Sequence, residues 1–378
     1  MKTPGHRHQR IGMVGCCLWI LLGNLFGQQI KNENGVPVVL NLKNPPVSAK
    51  GPIKLVLEEE LTIGDPTKGK DYALGSIRTV RADQKGNIYI LDGKDRLVKV
   101  FDKSGKYLRT IGSPGTGFKG MQNPWGMEVI PQQGIWIFHS EFLSLFSFQG
   151  QHLKDIKAPK IIDNPHFDSQ GNIIAGNFYH TMTSDGKTKE SNFISELKKY
   201  TSDFIPFSIL SRFELPLPSR DKVSDPILRR ICFTVLDNDD VVWGSNTQYR
   251  LTVTDKDGRI IRIFQKEYDP VKISENEKNR IIALSAKNSP GWKLEFSEFY
   301  PAFYTVTTDD GGRILVGTFD EYEKNQRSYD VFDAAGMFLT KIVLKHTIQY
   351  WKAGHLFATE EDSEGKPIRV IRYKASWK

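Results

Sequence analysis

Six side chains able to bind or catalyse recur at one place in a repeating pattern, just past a short apolar run. They are Asp92 after Ile88-Tyr89-Ile90-Leu91, His139 (with Ser140 beside it) after Ile135-Trp136-Ile137-Phe138, and Asn177 after Ile173-Ile174. Asn246 follows Val241-Val242-Trp243, Thr318 follows Ile314-Leu315-Val316, and Glu360 follows Leu356-Phe357-Ala358. Carboxylate, imidazole and amide groups gathered round one axis could hold Ca²⁺ through oxygen or a transition metal such as Zn²⁺ through nitrogen. The competing reading is that each residue caps its own turn, as Asp and Asn often do, and Asp92 fits that reading best.

Histidine offers a second possibility. His139, His166 and His180 fall on neighbouring repeats, and three such side chains could make an open zinc site. No H-E-x-x-H or other spaced ligand motif supports it. A third set, Arg78, Arg81, His166 and Tyr304, lies on the first apolar run of its repeat. Whether these point toward a shared channel depends on strand register, since a one-residue slip reverses every side chain. If Arg78 and Arg81 reach the mouth, an anionic or carbohydrate ligand follows.

Gly115-Thr116-Gly117-Phe118-Lys119-Gly120 matches G-x-G-x-x-G literally. That pattern holds dinucleotides only between a strand and a helix, whereas Pro124 and a new strand follow here. It reads as a linking loop. No G-x-S-x-G and no phosphate-binding P-loop is present.

The elements that would carry these residues are short strands joined by tight turns. Ile77 to Gly112 reads as four of them. Asp83-Gln84-Lys85-Gly86 and Asp102-Lys103-Ser104-Gly105 supply hairpin turns, Asp bonding the backbone ahead and Gly taking φ > 0. The first turn recurs at Pro131–Gly134, Asp168–Gly171, Asp237–Asp240, Asp309–Gly312 and Gly354. The second recurs at Gln149-Gly150, Thr201–Asp203, Asp255–Gly258 and Asp333–Gly336. Units of about 40–50 residues are the propeller period, so the fold class is all-β, a six-bladed β-propeller.

The sixth unit ends after three strands, near Ile368 to Tyr373, while Ile53 to Gly64 is a strand with no blade of its own. Its Leu61-Thr62-Ile63-Gly64-Asp65-Pro66 parallels the end of blade one, Arg109-Thr110-Ile111-Gly112-Ser113-Pro114. The N-terminal strand is therefore expected to complete blade six and lock the ring. The run Asp83 to Asp92, the Val100 to Gly105 turn and the Thr110 to Phe118 loop resemble NHL-type six-bladed propellers of bacterial secreted proteins. That resemblance implies the fold; its functions are diverse, so it implies none of them.

Four long insertions, Tyr179 to Phe193, Pro216 to Arg229, Tyr268 to Pro301 and Phe319 to Ser328, all follow a second or fourth strand and so share one face, called top. Ser274-Glu275-Asn276-Glu277 is a capping box, predicting a short helix near 275–286 that lies across the top as a partial lid or simply covers a blade edge. The opposite, bottom turns are too short to build a pocket.

Residues 1–27 read as a signal peptide, with Lys2, Arg7 and Arg10 before an apolar core. Residues 28–51 read as a flexible lead-in and 52–378 as the propeller. Of 3 Cys, only Cys232 outlasts cleavage, so no intrachain disulfide forms. The formal charge of +8 falls to +5 without the leader, and the cations are scattered. Nucleic-acid binding is unsupported. The expectation is a monomeric periplasmic or secreted protein, attached to a membrane only if the leader stays uncleaved.

No complete catalytic constellation shows. The leading reading is a binding or scaffold propeller that engages a peptide, protein or saccharide through its top face, with no cofactor. The alternative is a metal-assisted hydrolase or lyase, lactonase-like, with Ca²⁺ or Zn²⁺ at the channel mouth.

Overall fold

The computed structural model describes residues 28–45, 53–112, 121–159, 162–184, 189–217, 223–224, 226–227, 229–288, 293–324, 326–362 and 365–378. The leader, the Gly115–Gly120 run and residues 46–51 lie outside them. The chain is a six-bladed β-propeller of antiparallel sheets. Each blade starts with an innermost strand. These are Ile77–Ala82, Pro124–Ile130, Asp163–Phe167, Ile231–Val235, Thr305–Thr308 and Thr347–Lys352.

The bottom turns work as their residue types demand. Asp83 Oδ1 accepts from the Lys85 and Asn87 amides at 2.9 and 2.8 Å. Gly86 then takes a φ of 82° that a side chain would resist. The same paired acceptance recurs at Asp102, Asp168, Asp255, Asp309 and Asp333. One aspartate thus supplies the backbone partners of each hairpin.

Between blades the core is apolar. Tyr89, Leu91, Val98 and Val100 of blade one pack on Met127, Ile135, Ile137 and Phe146 of blade two. All eight are 5% exposed or less. Each such side chain stabilises the ring by roughly 1.5–3 kcal/mol relative to exposure.

The ring closes as the sequence implies. Leu55–Ile63 pairs antiparallel with Pro367–Trp377 as the outermost strand of blade six, Ile63 opposite Val370 and Leu55 opposite Trp377. The lead-in, by contrast, is not a flexible tether throughout. Gln28–Glu33 and Val36–Asn41 form a hairpin, and its second strand runs parallel to Ile260–Lys266 on the edge of blade four. Val38 and Val39 are buried there, which explains why this stretch is ordered. Asn41 bonds the Phe338 amide and the Gly336 carbonyl at 2.8 and 2.9 Å, tying the hairpin to blade five.

Among the described residues, the top insertions carry strands and a helix. Blade three's second and third strands continue outward as 12-residue strands, Ile173–Ser184 and Lys189–Tyr200, so that insertion is a projecting hairpin. Val223–Ser224 and Lys293–Leu294, from two different insertions, pair in parallel. The helix spans Glu275–Asn288. Ser274 caps it, accepting from the Glu277 amide at 3.1 Å. The reciprocal half of the expected capping box is replaced: Ser274's own amide bonds Glu323 at 3.1 Å, while Glu277 pairs with Arg280 at 2.6 Å.

Candidate functional site

The inner strands enclose a cavity of about 320 Å³ to which all six blades contribute. Its lining is set by a backbone device that recurs. In blade one, Ile77 pairs with Asp92 and Thr79 with Leu91, leaving Arg78 as an extra, bulged residue. In blade two, the same slip between Pro124 and Gly126 leaves Trp125. In blade six, the slip between Ile348 and Tyr350 leaves Gln349. Blade three slips between Asp163 and His166, across Asn164 at φ 46° and Pro165. A bulge re-aims the side chain that cannot pair. Here Arg78, Trp125, Asn164 and Gln349 all line the one cavity. Each lies in the first half of an inner strand, which places the group toward the top mouth.

The charged groups of this cavity are three guanidiniums and two carboxylates. Arg81 grips Glu128 with two prongs, Nη2 to Oε1 at 2.5 Å and Nε to Oε2 at 2.9 Å, and stacks over the Tyr350 ring at 5.0 Å. Burial opposes the Arg81 charge, but the Glu128 carboxylate and its hydrogen bonds outweigh that and hold the guanidinium above its ordinary range. Arg230 Nη1 meets Asp163 Oδ2 at 2.7 Å, and the Arg230 amide bonds Asn246 Oδ1 at 2.9 Å. Arg78 is different: no hydrogen-bond or ion-pair partner reaches it among the described residues. Tyr304 lies beside Tyr329, and burial pushes its phenol well up. The Cys232 thiol forms part of the wall and is raised by burial to about 11, so it stays protonated and inert.

Of the expected site residues, Arg78, Arg81 and Tyr304 therefore line the channel. His166 shares the inner strand of blade three, its ring edge on Phe233 at 5.7 Å. Burial lowers its pKa, and its buried Nε2 has no hydrogen-bond partner among the described residues.

The ring drawn from the ends of the second strands does not converge on the channel, because a second strand lies one position out from the axis. Asp92 is fully buried and accepts four backbone amides, those of Gly75, Ser76, Lys94 and Asp95, at 2.7 to 3.2 Å. Asn246 holds the Arg230 backbone, Asn177 accepts from Tyr200 at 2.5 Å, and Thr318 donates to Asp320 at 2.7 Å. Glu360 pairs with Arg369 at 3.2 Å. Asp92 and Asn246 thus tie down loop backbone, Thr318 bonds a loop carboxylate, and Asn177 and Glu360 link neighbouring strands of their own blades.

The three histidines are likewise apart. His180 is exposed on the projecting hairpin against Phe193, and His139 is buried in blade two. Among the described residues, no group of three or more His, Cys, Asp or Glu gathers as a metal would need. His139 does neighbour Ser144 at 2.6 Å, with Asp155 beyond. Ser144 gives its one proton to Asp155, so His139 donates to the serine and cannot act as its base. The resemblance to a nucleophilic triad is in residue types only.

A second cavity, of about 420 Å³, lies on the bottom between blades one, two and six, lined by Lys85, Arg109, Phe148, Tyr350 and Lys352 among others. The expectation that short bottom turns leave no pocket is thus corrected: neighbouring turns from different blades form one together.

Sequence reasoning missed Trp125, Glu128, Asp163, Asn164, Arg230 and Gln349. The bulges that aim four lining residues carry no local sequence signal.

No protein-family model matches the chain, and no curated protein matches it in sequence. Among solved structures, a "Putative exported protein" from Bacteroides fragilis is similar at a TM-score of 0.53 and 10% identity, over 90% of this chain and 99% of that one. A member of the DUF4221 family from Bacteroides vulgatus is similar at 0.52 and 14% identity, over 86% and 99%. A virginiamycin B lyase from Staphylococcus aureus overlaps at 0.43 and 9% identity, over 85% and 99%. At these identities the likeness is one of fold.

Proposed function

We propose that this protein is an exported binding propeller that takes a small polar ligand, of saccharide type, in the top mouth of its channel. The observation that carries the reading is the repeated bulge, which turns Arg78, Trp125, Asn164 and Gln349 into one cavity. An indole beside donors and acceptors suits a sugar ring, whose faces are apolar and whose edges are hydroxyls. The volume of about 320 Å³ is at the small end for a ligand pocket. The carboxylates Glu128 and Asp163 are committed to arginines, which leaves neither as a free general base. Export is supported by the basic-then-apolar leader sequence and by the likeness in fold to an exported protein. Among the described residues, no helix is long and apolar enough to cross a membrane. The repeats are read as NHL-like on the strength of their shared Asp-x-x-Gly turns.

The test is a tryptophan-fluorescence titration of residues 28–378 with a panel of neutral and acidic disaccharides. Trp125→Ala should weaken binding at least tenfold. Because the Trp125 ring also packs on Phe138 at 5.2 Å, its melting temperature should fall as well, and binding is compared at a temperature where both proteins are folded. Lys85→Ala with Lys103→Ala, on the bottom, should leave it intact. The opposite pattern would move the site to the bottom cavity.

A further inference from the structure

Resting on that reading, we infer that the ligand is an acidic saccharide whose carboxylate is held by Arg78. The channel's charges are paired with this one exception: Arg81 is neutralised by Glu128 and Arg230 by Asp163. Arg78 is exposed and has no partner among the described residues, so the mouth carries one uncompensated positive charge. A guanidinium presents donors in a planar fork that matches a carboxylate with two parallel hydrogen bonds.

Two further features argue that Arg78 is seated rather than merely present. It is the bulged residue of its strand, so its backbone is shaped to aim it. It also lies against Gly93, where a Cβ would come 2.5 Å from its Nε and 2.8 Å from its Cγ. Gly93 is not among the glycines with positive φ. Its lack of a side chain is therefore explained by the arginine it accommodates, not by its own backbone. Trp125, packed on Phe138 at 5.2 Å, lines the same cavity and adds aromatic surface that a bare anion would not need.

The experiment is calorimetric titration of the mature chain with matched pairs: digalacturonic acid against galactobiose, and cellobiouronic acid against cellobiose. The acidic member of a pair should bind at least tenfold more tightly, with a preference that shrinks as salt rises. Arg78→Gln should erase the preference, bringing the affinities for the acidic and neutral members of each pair together. Arg78→Lys should keep part of it, since the charge survives and the fork does not. Equal binding of acidic and neutral members, unchanged by Arg78→Gln, overturns the inference. The pocket reading then still stands if Trp125→Ala abolishes that binding. Arg78-dependent binding of a peptide C-terminal carboxylate, with no acidic sugar bound, overturns the saccharide class. Failure of every probe to bind overturns both readings.

Discussion

Ile63 and Val370 stand opposite each other in the strand pair that joins the two ends of the chain. Both are at most 2% exposed, and both pack on Ile77, Val80 and Phe101 of blade one. Closure is thus part of a core shared by blades six and one, and the ring should loosen as a whole when it fails. Ile63→Ala is expected to lower stability by about 2–5 kcal/mol. Denaturant midpoints measure it; a variant within 0.5 kcal/mol (about the spread of surface changes) would contradict the closure role.

Asn41 makes the N-terminal hairpin a strap. Its side chain accepts from the Phe338 amide and donates to the Gly336 and Gln265 carbonyls at 2.8 to 3.0 Å, and it is 2% exposed. Asn41→Leu keeps the bulk and strands those backbone groups, at a cost of about 1–3 kcal/mol for each one left unpaired. The loss should appear in the denaturant midpoint. If instead the variant matched the parent, the hairpin would be an ornament on blade four.

The parts of this fold that could be read from sequence are those fixed by local chemistry. Asp83 and Gly86 define a turn whatever surrounds them, and the closing strand betrayed itself by a blade with one strand missing. The hairpin at 28–41 was also legible in principle. Its Asn34-Gly35 pair adopts φ of 53° and 87°, the two-residue turn for which Asn-Gly is the strongest short signal. The cavity was another matter. Glu128 finds Arg81 across 47 residues, and Trp125 and Gln349 enter the channel only because one residue in each strand fails to pair. Such slips come from tertiary packing. For the same reason Asp92 and Glu360, at the ends of strands one step from the axis, looked like a ring, whereas Asp92 holds its own loop and Glu360 pairs across to Arg369 of the next strand.

His166 makes stability depend on pH. Burial is the main cause of its lowered pKa; Glu128 works against the shift and Arg81 with it. The unfolded chain, with an ordinary imidazole near ~6.5, takes up a proton that the folded form resists. Stability is then full above that value and is lost as pH falls from about 6.5 through the lowered folded pKa. In His166→Phe this share of the decline should vanish. Comparing urea midpoints at pH 7 and pH 5 tests it, and an equal drop in both proteins would refute the assignment.

Asp92 should behave as a structural residue. Its carboxylate serves four backbone amides in the top loop of blade one and has no exposure. Asp92→Ala leaves those part-buried donors without their acceptor, and a loss of about 1–3 kcal/mol is expected. Thermal unfolding reads it directly. A neutral result would reopen the case for Asp92 as a ligand group.

Gly93→Ala separates the seat of Arg78 from the stability of the fold. Alanine is compatible with the backbone there, since Gly93 is not among the positive-φ glycines. Its new Cβ would fall 2.5 Å from Arg78 Nε, 2.8 Å from Cγ and 3.2 Å from Cδ, so something must move. The atoms displaced, Cγ through Nε, belong to a flexible, exposed side chain that can turn away by changing rotamer. Stability should therefore change by no more than about 0.5 kcal/mol. The guanidinium, however, leaves the position to which the bulge and the glycine together assign it. A carboxylate fork tolerates little displacement, because both hydrogen bonds depend on the same plane. Affinity for digalacturonic acid should fall several-fold while galactobiose binding holds. If acidic binding survives unchanged in a protein whose melting temperature is also unchanged, then Gly93 does not position Arg78, and the guanidinium binds from wherever it happens to lie.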